Sequence, residues 1–413
     1  MWRFFRHFLY IITGNVSQVI SSFLIAAIVV NKYGMESYGK FVVVQSFFMI
    51  FPLVTRPLVW QAIVKFKNDY DINALFYYGL IKEVSIFLIT SPIILALYLT
   101  LKNTIKIDYF IFEQQELFVL PLLFSFALNC GAVIGYFRAR EQYLFVSIIL
   151  MTSSITKLLA AYFINADIEE LIIILCGIDG VVWFLSVCFL LFVKVGIKSV
   201  RGSKLQKLKK FNSYALWGNI HSLVDIPVVY LDRIVISMVF TVELAGVFNL
   251  IKRIGGMVKQ LSEPVLQILF PKFIDHLKEN SVDKIKNIAN KIMLTAIAIS
   301  IFVVIFGYVG FDYFDRLLFK SLLIDYKIHV ILFGVLQAYA FAFIWVHPLC
   351  ISLSAMKSVT AIIVLSNMVY LIVLMYSTER LGMYSLILSS LIQYTIVIIS
   401  KLVIIRMKLK QTL

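Results

Sequence analysis

Runs of mostly apolar residues, each about as long as a bilayer is thick, follow one another along this whole chain and leave few folds open to it. A helix needs roughly 20 such residues to cross the hydrocarbon core. Twelve stretches meet the requirement: residues 9–30, 38–60, 78–101, 116–137, 143–164, 169–193, 213–238, 244–270, 291–311, 327–350, 359–376 and 381–405. In lipid a backbone must satisfy its own hydrogen bonds, and no stretch alternates polar and apolar residues as a barrel strand does. An all-α, polytopic membrane protein of about twelve transmembrane helices is therefore expected. Composition agrees, since 61% of residues are hydrophobic, against about half in a soluble domain.

The net charge of +15 would suit nucleic acid only if the basic residues shared one folded face. Here they punctuate the apolar runs, which is a membrane topology signal. With the N-terminus in the cytoplasm, 22 lysines and arginines fall on the cytoplasmic side and eight, including Lys32, Lys102, Arg316 and Lys320, on the other. Both termini are then cytoplasmic. The run from Phe8 to Val30 is too long for the core of a cleaved signal and is read as a retained first span. Cys130, Cys176, Cys188 and Cys350 lie inside spans without metal-ligand spacing and serve as small apolar fillers.

The chain also repeats itself. Adding 207 carries Glu36, Gly39, Phe41, Pro57, Lys65 and Phe66 onto Glu243, Gly246, Phe248, Pro264, Lys272 and Phe273. Two copies point to duplicated halves: an N-terminal lobe, 1–193, and a C-terminal lobe, 213–413, joined by a basic cytoplasmic linker, 194–212. Six spans separate the copies, so the halves share one orientation and are related by an axis along the membrane normal. The longest external loops, near Lys102–Gln115 and Asp312–Tyr326, leave no room for a soluble domain.

Charges inside spans are the informative residues, because each costs roughly 2.5–3.5 kcal/mol at mid-bilayer and so faces a cavity or a partner. Seven cations, Arg56, Lys82, Lys157, Arg233, Lys252, Arg253 and Lys259, face five carboxylates, Glu83, Asp179, Asp225, Asp232 and Glu263. The cation excess makes best sense if something anionic sits between the lobes, so the seven are candidate substrate-binding residues. The five are candidates for ion coupling. Lys252, Gly256, Lys259 and Glu263 recur on one helical face, where Lys259 and Glu263 can pair. Asp225 and Asp232 share a face of span seven. His221 and His347 can relay protons or bond to a neighbouring helix. Prolines such as Pro52, Pro92, Pro227 and Pro348 are expected to kink their spans. No nucleophile with its base, phosphate loop or metal cluster appears, so no covalent chemistry, nucleotide hydrolysis or cofactor is expected.

At Glu36-Ser37-Tyr38-Gly39-Lys40-Phe41, and again at Leu231-Asp232-Arg233 followed by Glu243 to Phe248, the chain resembles the Wzx-type O-antigen flippases, the polysaccharide transporter branch of the multidrug/oligosaccharidyl-lipid/polysaccharide exporter superfamily. The resemblance rests on Glu36, Gly39, Phe41, Asp232, Arg233, Gly246 and Phe248. It implies a V-shaped pair of six-helix lobes in a bacterial inner membrane, around a cationic cavity. It also implies movement of an undecaprenyl-diphosphate-linked oligosaccharide from the cytoplasmic to the periplasmic leaflet by alternating access, coupled to H+ or Na+. The implied partners are membrane lipids, a polysaccharide polymerase and a chain-length regulator. A drug/cation antiporter of the same superfamily is the nearest rival, though a cation-rich interior repels cationic drugs. A membrane-embedded glycan polymerase would share the hydropathy but needs a large external loop.

Overall fold

A computed structural model describes residues 2–55, 59–104, 131–195, 211–215, 223–224, 226–256, 281–353 and 355–412, with 269, 273, 276, 277 and 279. Among them the regular elements are all helical. Eight helices or helix pairs among the described residues are long and apolar enough to cross a membrane, against twelve expected spans, of which 116–137, 213–238 and 244–270 lie partly outside the described residues. The chain divides into two compact units, Met1–Leu223 and Val224–Leu413. The division falls beyond the expected 194–212 linker. Phe211, at the end of the expected linker, and Tyr214, at the start of the expected seventh span, pack on Phe66 of the first unit.

The first unit opens with α1 (Trp2–Thr55), which contains the first expected span and most of the second. They are separated by one non-helical residue, Gly34, at φ 86° and ψ 169°. A positive φ is a conformation that glycine adopts without steric cost, so the chain needs no loop there. The expected break at residues 31–37 thus shrinks to a single joint. Next come α2 (Val59–Lys65), α3 (Ile72–Thr104) and α4 (Gly131–Ala139), then α5 (Tyr143–Phe163) and α6 (Ile168–Phe189). A π turn, Leu190–Val195, extends α6. Helices α2, α3 and α4 enclose a core of Val59, Ala62, Ile63, Phe76, Ala132 and Tyr136. The contacts are close because α4 turns Gly131 and Gly135 to its neighbours. A Cβ on Gly135 would lie 2.9 Å from the Trp60 Cα, the small-residue packing that lets membrane helices approach.

In the second unit a π turn, Pro227–Leu231, runs into α7 (Asp232–Val239). Phe240 and Thr241 then lead to α8 (Val242–Gly255), whose first turn is capped by the Thr241 hydroxyl, 3.2 Å from the Leu244 N–H. Helix α9 (Val282–Phe319) is followed by α10 (Lys327–Ala342), α11 (Val346–Ser352), α12 (Met356–Leu381) and α13 (Tyr384–Thr412). The ninth span is much longer than the 291–311 expected, and the loop at Asp312–Tyr326 is largely helix. Polar residues there have local partners that let the helix continue. The Asp315 carboxylate accepts from the Leu323 N–H at 3.2 Å, Asp312 pairs with Lys327 at 2.9 Å, and left-handed Lys320 ends the helix. The tenth span breaks at residues 343–345, ahead of the expected kink at Pro348, which sits in the first turn of α11. Proline is tolerated in a first turn because that N–H has no helical partner.

The two copies of the repeat occupy matching local structure. Gly34 precedes Met35 as Thr241 precedes Val242, an offset of 207. In both copies the glutamate is exposed, while Gly39 and Phe41, like Gly246 and Phe248, are buried.

Candidate functional site

Charged side chains within the expected spans form a separate centre in each unit. In the first unit Ser153 and Lys157, one helical turn apart on α5, both reach Asp179 of α6. The ammonium lies 2.8 Å from the carboxylate and the Ser153 hydroxyl donates to it. Asp179 stands about 16 Å along α6 from Ile168, near the middle of that helix. Neither partner is fully enclosed, with side-chain exposures of 25% and 27%.

Glu83 is buried in α3, also about 16 Å from the start of its helix. Its Oε1 accepts from the main-chain N–H of Ala132 at 2.9 Å. The carboxylate reaches that N–H over Gly131, where a Cβ would lie only 2.3 Å from Oε1. Beside it, half-buried Lys82 extends towards the face of Tyr78, 5.9 Å from the ring centroid. It makes no ion pair among the described residues. Tyr78 is steadied by Asn212, whose side-chain oxygen accepts from the phenol at 2.9 Å.

In the second unit Asp232 is wholly buried and bonded to Lys252 of α8. The Tyr370 hydroxyl of α12 donates to the same carboxylate oxygen at 3.1 Å, and the other oxygen accepts from the Arg233 N–H at 2.8 Å. Lys252 also donates to the Val228 carbonyl. Three helical segments thus meet at one ion pair. Removing one member of such a pair, and leaving its partner charged in low dielectric, costs about 3–5 kcal/mol.

Of the seven candidate cations, Lys157 and Lys252 are therefore joined to two of the five candidate carboxylates, Asp179 and Asp232. Lys82 and Glu83 lie together on α3, and Arg233 and Arg253 are half-buried on α7 and α8. Arg56, Lys259, Asp225 and Glu263 lie outside the described residues, as does His221. The expected Lys259–Glu263 pairing lies there too.

Sequence reasoning missed the polar interior of α12 and α13. Gln393 donates to Asn367 at 2.7 Å, Asn367 to the Val224 carbonyl at 2.6 Å, and Gln337 to the Tyr394 hydroxyl at 2.8 Å. It also missed Lys401, buried in α13 with its ammonium 3.3 Å from Nδ1 of His347 on α11. An uncharged amide on an apolar helix carries no charge to single it out. Lys401 did carry one, a lysine well inside the last run.

This arrangement can hold helices by paired charge, and it presents a cation next to an aromatic face in the first unit. Among the described residues no cluster of three or more metal-ligating side chains is present.

The chain is similar to solved structures along almost its full length. With the inward-facing conformation of a multidrug resistance MATE family transporter of the MOP superfamily it shares 14% identity at a TM-score of 0.75, covering 97% of this chain and 98% of that one. With the outward-facing conformation of such a transporter it shares 12% identity at a TM-score of 0.64, covering 98% and 94%. A variant of the Vibrio cholerae MATE transporter VcmN matches at 12% identity and a TM-score of 0.66, covering 99% and 97%. No family model matches the sequence, and no curated protein does. At these identities the likeness is one of fold, and the fold is that of the MATE transporters.

Proposed function

We propose that this chain is a membrane transporter whose cargo is an anionic, lipid-linked oligosaccharide, moved between leaflets by alternating access. The observation that carries the reading is Lys82. It is a half-buried cation on a membrane-length helix, set against the Tyr78 ring and outside any ion pair among the described residues. An ammonium suits a diphosphate, and an aromatic face suits a sugar ring. The charge balance supports it. Within the expected spans the sequence places seven cations, Arg56, Lys82, Lys157, Arg233, Lys252, Arg253 and Lys259, against five carboxylates, Glu83, Asp179, Asp225, Asp232 and Glu263. The resemblance of the Gly39 and Asp232 segments to the O-antigen flippases supports the same cargo. On this reading undecaprenyl-diphosphate repeat units cross a bacterial inner membrane and pass to a polymerase. The protein performs no covalent chemistry: cargo binding biases the equilibrium between inward-open and outward-open states.

The second reading is a drug/cation antiporter, favoured by the names of the structural neighbours, which are multidrug transporters. Proteoliposomes carrying a fluorescent polyprenyl-diphosphate oligosaccharide separate the two. Leaflet exchange should require the protein and fall about tenfold in Lys82→Ala, the equivalent of about 1.4 kcal/mol of binding, while Lys82→Arg retains most of it. Absence of exchange with several glycans, together with gradient-driven efflux of organic cations, would establish the antiporter.

A further inference from the structure

Lys252 is held in the way that a bound ion is held. Its ammonium donates to the Asp232 carboxylate and to the main-chain carbonyl of Val228, and the Tyr370 hydroxyl rests on the same carboxylate oxygen. The carbonyl is available for a structural reason. In an α-helix the N–H of Asp232 would bond to the Val228 carbonyl four residues back. Here the π turn Pro227–Leu231 sends that N–H to Pro227 instead, five residues back. The wide turn releases one peptide oxygen into the protein interior, and Lys252 takes it. Asp232 has no exposed surface, and the Lys252 side chain is 14% exposed.

We infer that this is a monovalent-cation cage whose cation is supplied by the chain itself. A carboxylate and a peptide carbonyl are hard oxygen donors, the kind that alkali and other hard cations select, and the Tyr370 phenol holds the carboxylate in place. Lys252 fills the cage with a tethered ammonium, so occupancy does not depend on the ion concentration on either side of the membrane. The pair acts as a permanent tie between α7, α8 and α12. Asp232 cannot take up and release a coupling ion while Lys252 stays in place, which removes it from the residues that could couple transport to a gradient. The inference does not depend on the cargo. Taking the ammonium away and leaving the cage should uncover an alkali-ion site.

The test is thermal melting of the full-length protein in detergent, followed by tryptophan fluorescence as sodium replaces choline at constant ionic strength. Lys252→Met should gain on the order of 5 °C in sodium, as expected for a ligand that binds only the folded state well above its Kd. The unaltered protein should not respond, nor should Lys252→Met combined with Asp232→Asn. Recovery of Lys252→Met only from sodium-containing buffers would support the cage equally. The inference is overturned if Lys252→Met ignores sodium, potassium and lithium, or fails to fold in every salt. It is overturned as well if the unaltered protein or the double variant responds as strongly as Lys252→Met.

Discussion

Gly131 shows how one missing side chain can position a charge. The Glu83 carboxylate takes the space that a Cβ would fill, and from there it reaches the Ala132 N–H. Gly131→Ala should therefore cost about 1–3 kcal/mol through overpacking and loss of that bond. Combined with Glu83→Ala, which vacates the space, the cost should be clearly less than the sum of the two single changes. Melting of the four proteins in detergent checks this, and additive losses would mean that the two residues do not share the site. At this scale the sequence was only partly legible. A charge in an apolar run announces itself, so Lys157, Asp179, Asp232 and Lys252 could be singled out. Their pairing could not, because Lys157 and Asp179 meet only once α5 and α6 are packed. Tyr370 and Asn367 look like ordinary passengers of an apolar helix until their partners are known.

Helices were easier to read than their ends. Run length finds a span because the bilayer sets it, whereas termini depend on local bonds that hydropathy does not weigh. The carboxylate of Asp315 binds the Leu323 N–H in the turn that follows α9. The π turn before Asp232 was invisible for a similar reason: it changes which carbonyl is bonded and leaves the pattern of apolar residues unchanged. The repeat was more informative. Its glycine and phenylalanine are buried in both copies, and its glutamate is exposed in both, so an identity of sequence marks an identity of local environment. Gly34 is the position in α1 where substitution is least tolerable on conformational grounds. Gly34→Ala would force a side chain into a positive φ at a cost of about 1 kcal/mol or more, although nothing lies within 4 Å of the added Cβ. A drop in melting temperature with Gly34→Ala, and none with Gly177→Ala, would isolate backbone conformation as the cause. The Gly177 Cβ position is equally open, and its φ is helical.

For the molecule as a whole, the distribution of lysine and arginine defines a topology that labelling can test. In a background without its native cysteines, Lys320→Cys at the end of α9 should react with a membrane-impermeant thiol reagent added outside intact cells. Lys284→Cys, near the other end of the same helix, should react only after permeabilisation. The reverse pattern would invert the protein in the membrane. Helix α9 suits the test because Leu294, Phe302, Ile305, Phe306 and Val309 are exposed along its length, as a face turned to lipid requires. The joint at Gly34 bears on how such a protein could move. With a single residue between its two membrane-long arms, α1 carries no slack, so a tilt of one arm is imposed directly on the root of the other, as a crank passes torque between its throws. The matching joint in the second unit, Phe240–Thr241, has one more non-helical residue and a capped helix beyond it, so two copies of one sequence repeat turn the chain by different hinges.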